Sequence, residues 1–374
     1  MSVRSLLRRA SVAASLAGVC LLAHGDEAAA AARLPQRIAL LQRAQSELER
    51  GDATQALDDF ERAAMMLHAA DAELGLIRAA MQDGQYRRAL AFCAHTAGEH
   101  TDDADGGALY AWLLRIGGQG EQAARVLADT RAHAPDDAVA AAVEAAFAAT
   151  PPVASGILLQ PLHRMAPWAL APAPPQAAHF VSNGVLVDEG RAAIVPLSAL
   201  GRVTPARIWV RNGLGQAAEA DVDPDDTALA SHGLARLRLR AALPLGASGQ
   251  AAGRAPFAGS PGFAMQFGDT DAPAWPLLAQ GFLGTLVGDT DVRRLGFEAA
   301  PGAAVLDVHG ALIGITLASA SGPATWLPLP SAAPSSAAAA TTPAPHAGLA
   351  LTAPDEIYEA GLRRTLQVLA EAPR

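Results

Sequence analysis

Val305-Leu306-Asp307-Val308-His309-Gly310-Ala311-Leu312-Ile313-Gly314-Ile315 reads as two apolar runs folded about a polar tip. Gly310 suits the turn and His309 sits in it beside the glycine. The aliphatic residues on either side are strand formers. Outward from this hairpin, similar short runs recur at Gly184-Val185-Leu186-Val187-Asp188, at Arg207-Ile208-Trp209-Val210-Arg211, and over 234–239, 263–267, 281–287 and 311–317. Glycine and aspartate punctuate them. Short strands at such spacing predict an antiparallel all-β barrel or sandwich over residues 178–330.

The composition changes at Thr150-Pro151-Pro152. Before that point, residues 34–148 are rich in alanine, leucine and glutamine and poor in strand formers, which predicts paired helices. Gly51, Gly84 and Gly118 stand 33 and 34 residues apart. Five residues after each comes Ala56, Ala89 or Ala123, four further on Phe60, Cys93 or Leu127, and then Ala63, Thr96 or Thr130. The glycine closes the turn between antiparallel helices. The alanine lets the helices touch, and the larger residue fills the space one turn later. Pro135 ends the third unit. This pattern, G-x-x-x-x-A-x-x-x-[FY]-x-x-A, resembles three tetratricopeptide repeats, with Cys93 and Leu127 in place of the aromatic and threonine in place of the last alanine in two units. The resemblance implies an all-α solenoid whose concave face binds peptides or protein surfaces.

The chain has 374 residues, 51% hydrophobic and 17% charged, enough for two ordinary domains. It has no lysine, so its 28 basic residues are all arginine, and Schiff-base chemistry and Ser–Lys dyads are excluded. A formal charge of −9 argues against nucleic-acid binding, which needs basic surface. Residues 1–25 read as a cleaved export signal: Arg4, Arg8 and Arg9 lead an apolar stretch over 10–22, and Ala23-His24-Gly25 is a small-x-small cleavage site. The stretch is too short to span a membrane. Cys20 leaves a lipid-attachment reading open, although Val19 stands where that motif wants a very small residue. With Cys20 removed, Cys93 has no disulfide partner within the chain. The ten histidines are scattered and none pairs with a carboxylate at metal-binding spacing, so no metal and no cofactor are expected.

In residues 178–330 the order of the strands resembles the trypsin-like peptidases, in particular the bacterial branch that includes the periplasmic stress proteases. The opening stretch fits the hairpin after that family's G-x-S-G-G-P nucleophile motif, and Asn183-Gly184-Val185-Leu186-Val187-Asp188 fits the strand before its histidine motif. The resemblance implies a double barrel with a C-terminal helix. It also implies a serine, a histidine, an aspartate and an oxyanion cradle of N–H groups. The residues at those positions do not supply them. The T-x-x-H-V stretch falls on Val195-Pro196-Leu197-Ser198-Ala199, placing Ser198 (or, with a slip of one, Ala199) at the histidine. Ala299-Ala300-Pro301-Gly302-Ala303-Ala304 places Pro301 at the serine, without hydroxyl or N–H. The aspartate position falls on Gly233 or, in a second alignment, on Asp226. Gly259-Ser260-Pro261-Gly262 resembles a nucleophile loop superficially, and His179, His232 and His309 lie in the same region, but each reads as an ordinary loop or turn residue.

Three connecting stretches complete the plan. Residues 149–177, with Ala171-Pro172-Ala173-Pro174-Pro175, read as a Pro-rich linker or extended arm, and residues 331–349 as an Ala/Ser/Thr/Pro tether. Within 350–374, residues 355–370 read as an amphipathic helix, with Ile357, Leu362, Leu366 and Leu369 along one face. The expectation is therefore a multidomain α + β chain: a helical solenoid followed by a double barrel and a C-terminal helix. The expected function is that of a periplasmic, non-catalytic protein-binding scaffold with a protein or peptide partner, no nucleic acid, no membrane span and no metal. The alternative is a serine endopeptidase with a relocated site.

Overall fold

The computed structural model describes residues 33–201, 207–224, 227–246, 256–288, 290–317, 324–329 and 352–372. The residues expected to form the export signal, the tether over 331–349 and Asp226 lie outside these. Among the described residues no helix is long and apolar enough to cross a membrane.

The N-terminal part is helical: α1 (33–50), α2 (Ala53–Met66), α3 (Ala70–Asp83), α4 (Tyr86–Glu99), α5 (Ala104–Ile116), α6 (Gly120–His133) and α7 (Ala138–Ala146). Gly51, Gly84 and Gly118 join α1 to α2, α3 to α4 and α5 to α6, each in the left-handed region at φ of 87°, 83° and 85°. Only glycine enters that region without a steric cost. Ala56, Ala89 and Ala123 have no exposed surface, and Phe60, Cys93 and Leu127 are buried behind them. Hydrophobic burial, of one face of α2, α4 and α6 and of nearly every side of α3 and α5, holds such short helices more than helix propensity does.

Residues 149–177 form a packed arm. Leu158, Met165, Ala166 and Trp168 are buried. Gln82 of α3 clamps the arm to the loop at Leu214: its Oε1 accepts from Trp168 N–H at 2.8 Å, and its Nε2 donates to the Leu214 carbonyl at 2.6 Å.

Two closed six-stranded antiparallel barrels come after the arm. The first has strand order β1-β12-β3-β4-β5-β2. It uses β1 (Ala178–Val187), β2 (Ala192–Pro196), β3 (Arg207–Asn212), β4 (Ala217–Asp223), β5 (Leu234–Leu239) and β12 (Thr365–Glu371). The second has order β10-β11-β8-β7-β6-β9. It uses β6 (Pro261–Gln266), β7 (Leu277–Leu286), β8 (Arg293–Leu295), β9 (Ala304–Leu306), β10 (Leu312–Leu317) and β11 (Thr325–Pro328). A five-residue helix, α8 (Thr227–Ser231), precedes β5. The α plus double-barrel expectation holds, and the arrangement is compatible with a trypsin-like fold. The stretch 305–315 is the β9–β10 hairpin, in which Asp307 Oδ1 accepts from His309 and Ala311 N–H at 2.8 and 2.9 Å. Gly314 is required there because a Cβ would fall 2.3 Å from the Trp326 ring, which fills the second barrel's core.

The C-terminal helix is present but shorter than expected. It is α9 (Pro354–Gly361), and residues 365–371 are not its continuation but strand β12, paired with β1 and β3. The spacing of Leu362, Leu366 and Leu369 fits a helix face. Competing with it is the alternation of Leu366 and Val368, which enter the first barrel's core beside Val195, Val210 and Leu237. Residues on the other face are also buried, and Gln367 donates to the carbonyls of Thr270 and Ala272 at 3.0 and 3.1 Å. Tertiary burial on both faces overrides the local helical pattern.

Helices and barrels share a core. The Tyr86 and Tyr358 rings lie 4.3 Å apart between α4 and α9, and their hydroxyls donate to the carbonyls of Leu113 and Pro276 at 2.9 and 2.8 Å.

Candidate functional site

Ser198 and Pro301, the residues expected at the histidine and serine places of a peptidase triad, and Gly233, one of the two readings of the aspartate place, lie near one another at the junction of the barrels. Strand β2 ends at Pro196 and runs into a short 3-10 turn over Leu197–Leu200, which exposes Ser198. Leu197 N–H donates to the Gly233 carbonyl at 2.8 Å, so Ser198 and Gly233 stand side by side. Gly233 has φ of 72°, with open space where a Cβ would go. The hindrance to a side chain there is backbone strain rather than crowding. The Pro301–Gly302 turn, ahead of β9, comes up from the second barrel. Gly302, at φ of 82°, packs so closely that a Cβ would lie 2.0 Å from the Asn183 carbonyl oxygen and 3.0 Å from Pro196 Cδ.

Buried polar side chains fix this turn. Gln266 accepts from Ala300 N–H, and Gly302 N–H donates to the Thr316 carbonyl at 2.9 Å. The Thr316 hydroxyl donates to the Ala300 carbonyl at 2.5 Å and accepts from Ala303 N–H at 2.8 Å. The backbone around the nucleophile position is thus bonded to the protein itself, and Pro301 contributes no N–H. At the three positions there is no imidazole, no carboxylate and no N–H at Pro301 to face a developing oxyanion.

The other serine and histidines stand elsewhere. The Ser260 hydroxyl accepts from Phe257 N–H at 3.1 Å within its own turn. His309 donates its backbone N–H to Asp307, and His232 lies exposed before β5. His179 is carboxylate-paired, with Nδ1 2.8 Å from Asp271 Oδ2 on the molecular surface. Hydrogen bonds from His179 and from Phe180 N–H hold Asp271 below the usual carboxylate range. Beneath them burial lowers the Arg211 guanidinium to about 10, although Asp271 opposes the shift. Among the described residues no hydrogen bond joins any of these histidines to Ser198 or Ser260.

The histidines, scattered in the sequence and none at metal-binding spacing from a carboxylate, gain carboxylate neighbours on folding. His163 Nδ1 lies 2.6 Å from Asp105 Oδ2. Three more gather around one buried carboxylate: the Nε2 atoms of His68, His95 and His100 lie 2.7, 3.7 and 3.5 Å from oxygens of Glu73. His68 occupies the α2–α3 connection, Glu73 the first turn of α3, His95 the C-terminal half of α4, and His100 the residue that caps α4. The sequence signal was faint. His68 precedes Glu73 by five residues and His95 precedes His100 by five, a spacing that does not align side chains on one helix face.

No protein-family model matches this sequence, and a search of curated proteins finds no match. The likeness to a trypsin-like fold therefore rests on the strand order and the two closed barrels alone.

Proposed function

We propose that this chain is a non-catalytic, exported protein-binding protein, whose double barrel has a peptidase-like arrangement without peptidase chemistry. The observation that carries the reading is the meeting of Ser198, Gly233 and Pro301 at the barrel junction. In a Ser–His–Asp site the base is an imidazole within hydrogen-bond reach of the serine, and here the places expected for that pair hold a serine and a proline. The helical hairpins, with their glycine turns at a regular period, supply the second half of the reading: arrays of this kind present surfaces to peptides and folded partners. Both barrels are closed, so a peptide would lie across their junction rather than extend a sheet edge. The basic start and short apolar stretch of residues 1–25 support a periplasmic location.

The test is fluorophosphonate labelling of the purified protein, read by intact mass, beside an active trypsin-like control. No adduct is expected. A stoichiometric adduct lost in Ser198→Ala or in Ser260→Ala would overturn the proposal and establish a relocated serine-hydrolase site.

A further inference from the structure

The geometry points to a zinc-class metal site in the helical part, built from Glu73, His68 and His100, with His95 alongside. Glu73 is only 4% exposed, and its first turn of α3 faces the end of α4. A buried carboxylate is costly unless a cation or several donors compensate it. Here three imidazoles present the same nitrogen, Nε2, to it. One ligand atom from each of His68, Glu73 and His100 fits within a span of 4.8 Å. His95 stands alongside, its Nε2 3.3 Å from the Nε2 of His68.

One detail favours a metal over a self-satisfied hydrogen-bond cluster: the Nε2 of His100 is buried and makes no hydrogen bond, although it is 3.5 Å from Glu73 Oε2. The Nε2 atoms of His68 and His95, 3.3 Å apart, are within hydrogen-bond distance of each other. A tetrahedral zinc with bonds of about 2.0–2.1 Å separates its ligand atoms by roughly 3.3 Å. The Glu73 spacings, 2.7 Å from Oε1 to His68 and 3.5 Å from Oε2 to His100, lie on either side of that value, and the three ligand atoms fall within 4.8 Å of one another. Support for the ligand set is also present. The Thr96 hydroxyl donates to Glu73 Oε2 at 2.7 Å and fixes the carboxylate, as outer-shell partners do. This gives the departure from alanine at the last position of the second helical hairpin a role.

Imidazole nitrogens with one carboxylate suit zinc and its neighbours among the transition metals rather than magnesium or calcium. On binding, each Nε2 gives its lone pair to the ion, any proton it held passes to solvent, and Glu73 binds as the carboxylate. Three protein ligands, His68, Glu73 and His100, leave a fourth position for water or for His95 alongside. The ion would tie the α2–α3 connection to α3 and to the end of α4. His68 and His95 are about half exposed, at 58% and 49%, so the site has an entry path from solvent.

The test uses the full chain without a histidine tag, stripped with chelator and then titrated with zinc against a chromophoric competitor. Expected are one equivalent bound per chain and a thermal unfolding midpoint that rises with zinc. Glu73→Gln and the double variant His68→Ala/His100→Ala should weaken binding well beyond the ~10–100-fold typical of a lost supporting hydrogen bond. His133→Ala, on the exposed face of α6, should bind as the parent does. Far-UV circular dichroism shows whether each variant is folded, and His95→Ala, at a half-exposed position, removes the neighbouring imidazole and spares the core. Failure of the parent chain to retain zinc, or equal retention by the parent, His95→Ala and the double variant, would overturn the proposal. It stands apart from the fluorophosphonate result, because neither measurement depends on the other.

Discussion

Cys93 stands where the helical repeat pattern favours an aromatic, and the structure explains why a small residue is tolerated there. It is fully buried against α3 and α5, and burial pushes its thiol pKa up even though Arg78 pulls the other way. The thiolate is the reactive form. Native protein should therefore resist iodoacetamide in mildly alkaline buffer and become labelled in urea, as read by mass. Cys93→Phe should cost about 1–3 kcal/mol through overpacking, read as a lower urea midpoint. Asp59 makes the corresponding electrostatic case. Its side chain is buried, and hydrogen bonds from Arg43 and Arg62 hold its pKa below the ordinary carboxylate value, with burial opposing them. Its stabilising contribution is complete above the unfolded pKa, about 3.9, and is lost as pH falls through the lower folded value. Stability measured against pH should show that acid-side loss, and Asp59→Asn should flatten it at a cost of about 1–2 kcal/mol. At this scale the sequence was legible wherever one residue type has one physical use. Gly84 and Ala89 could be read directly. Glu73 could not, because its partners come from two other segments, the α2–α3 connection and the end of α4, that only helix pairing brings to it.

Strand β12 shows where local patterns stop being sufficient. As a helix, Leu366 and Val368 would point about 200° apart, and only one could be buried against a single surface. As a strand they share a face inside the first barrel, and both are buried. Leu366→Ala and Val368→Ala should therefore each cost about 2–4 kcal/mol, measured by urea denaturation. A helical segment would lose stability at one position and not at the other. The β9–β10 hairpin lies at the opposite extreme, since its turn aspartate, its turn glycine and the Gly314 that admits Trp326 are all local signals. A hairpin announces itself over about ten residues, whereas a closing strand is specified by neighbours that sequence reading cannot place.

The whole molecule is knit by contacts that cross from helices to barrels. Beyond the Tyr86–Tyr358 stack, Arg87 pairs with Glu356 and Glu359, and Arg363 donates to the Asp83 carbonyl at 2.9 Å. Helical circular dichroism and tryptophan fluorescence should therefore report one coincident unfolding transition. Tyr358→Ala should lower both midpoints together, by about 3–5 kcal/mol in free energy. Separate transitions would mean that the halves fold independently. The sequence displayed the two halves but not their union, because interdomain packing leaves no periodic trace in either. The closure of the first barrel has a consequence for how the chain acquires its shape. Val185 pairs with Thr365, whereas every strand of the second barrel lies between Pro261 and Pro328. Pairings distant in sequence form slowly, since a long loop must first be closed. During synthesis the later barrel can finish while the earlier one still waits, with β1 and β3 lacking a neighbour until residues 365–371 emerge. Order of manufacture and order of completion run in opposite directions, so a chain threaded through a membrane pore would keep its leading barrel open until its final segment had passed.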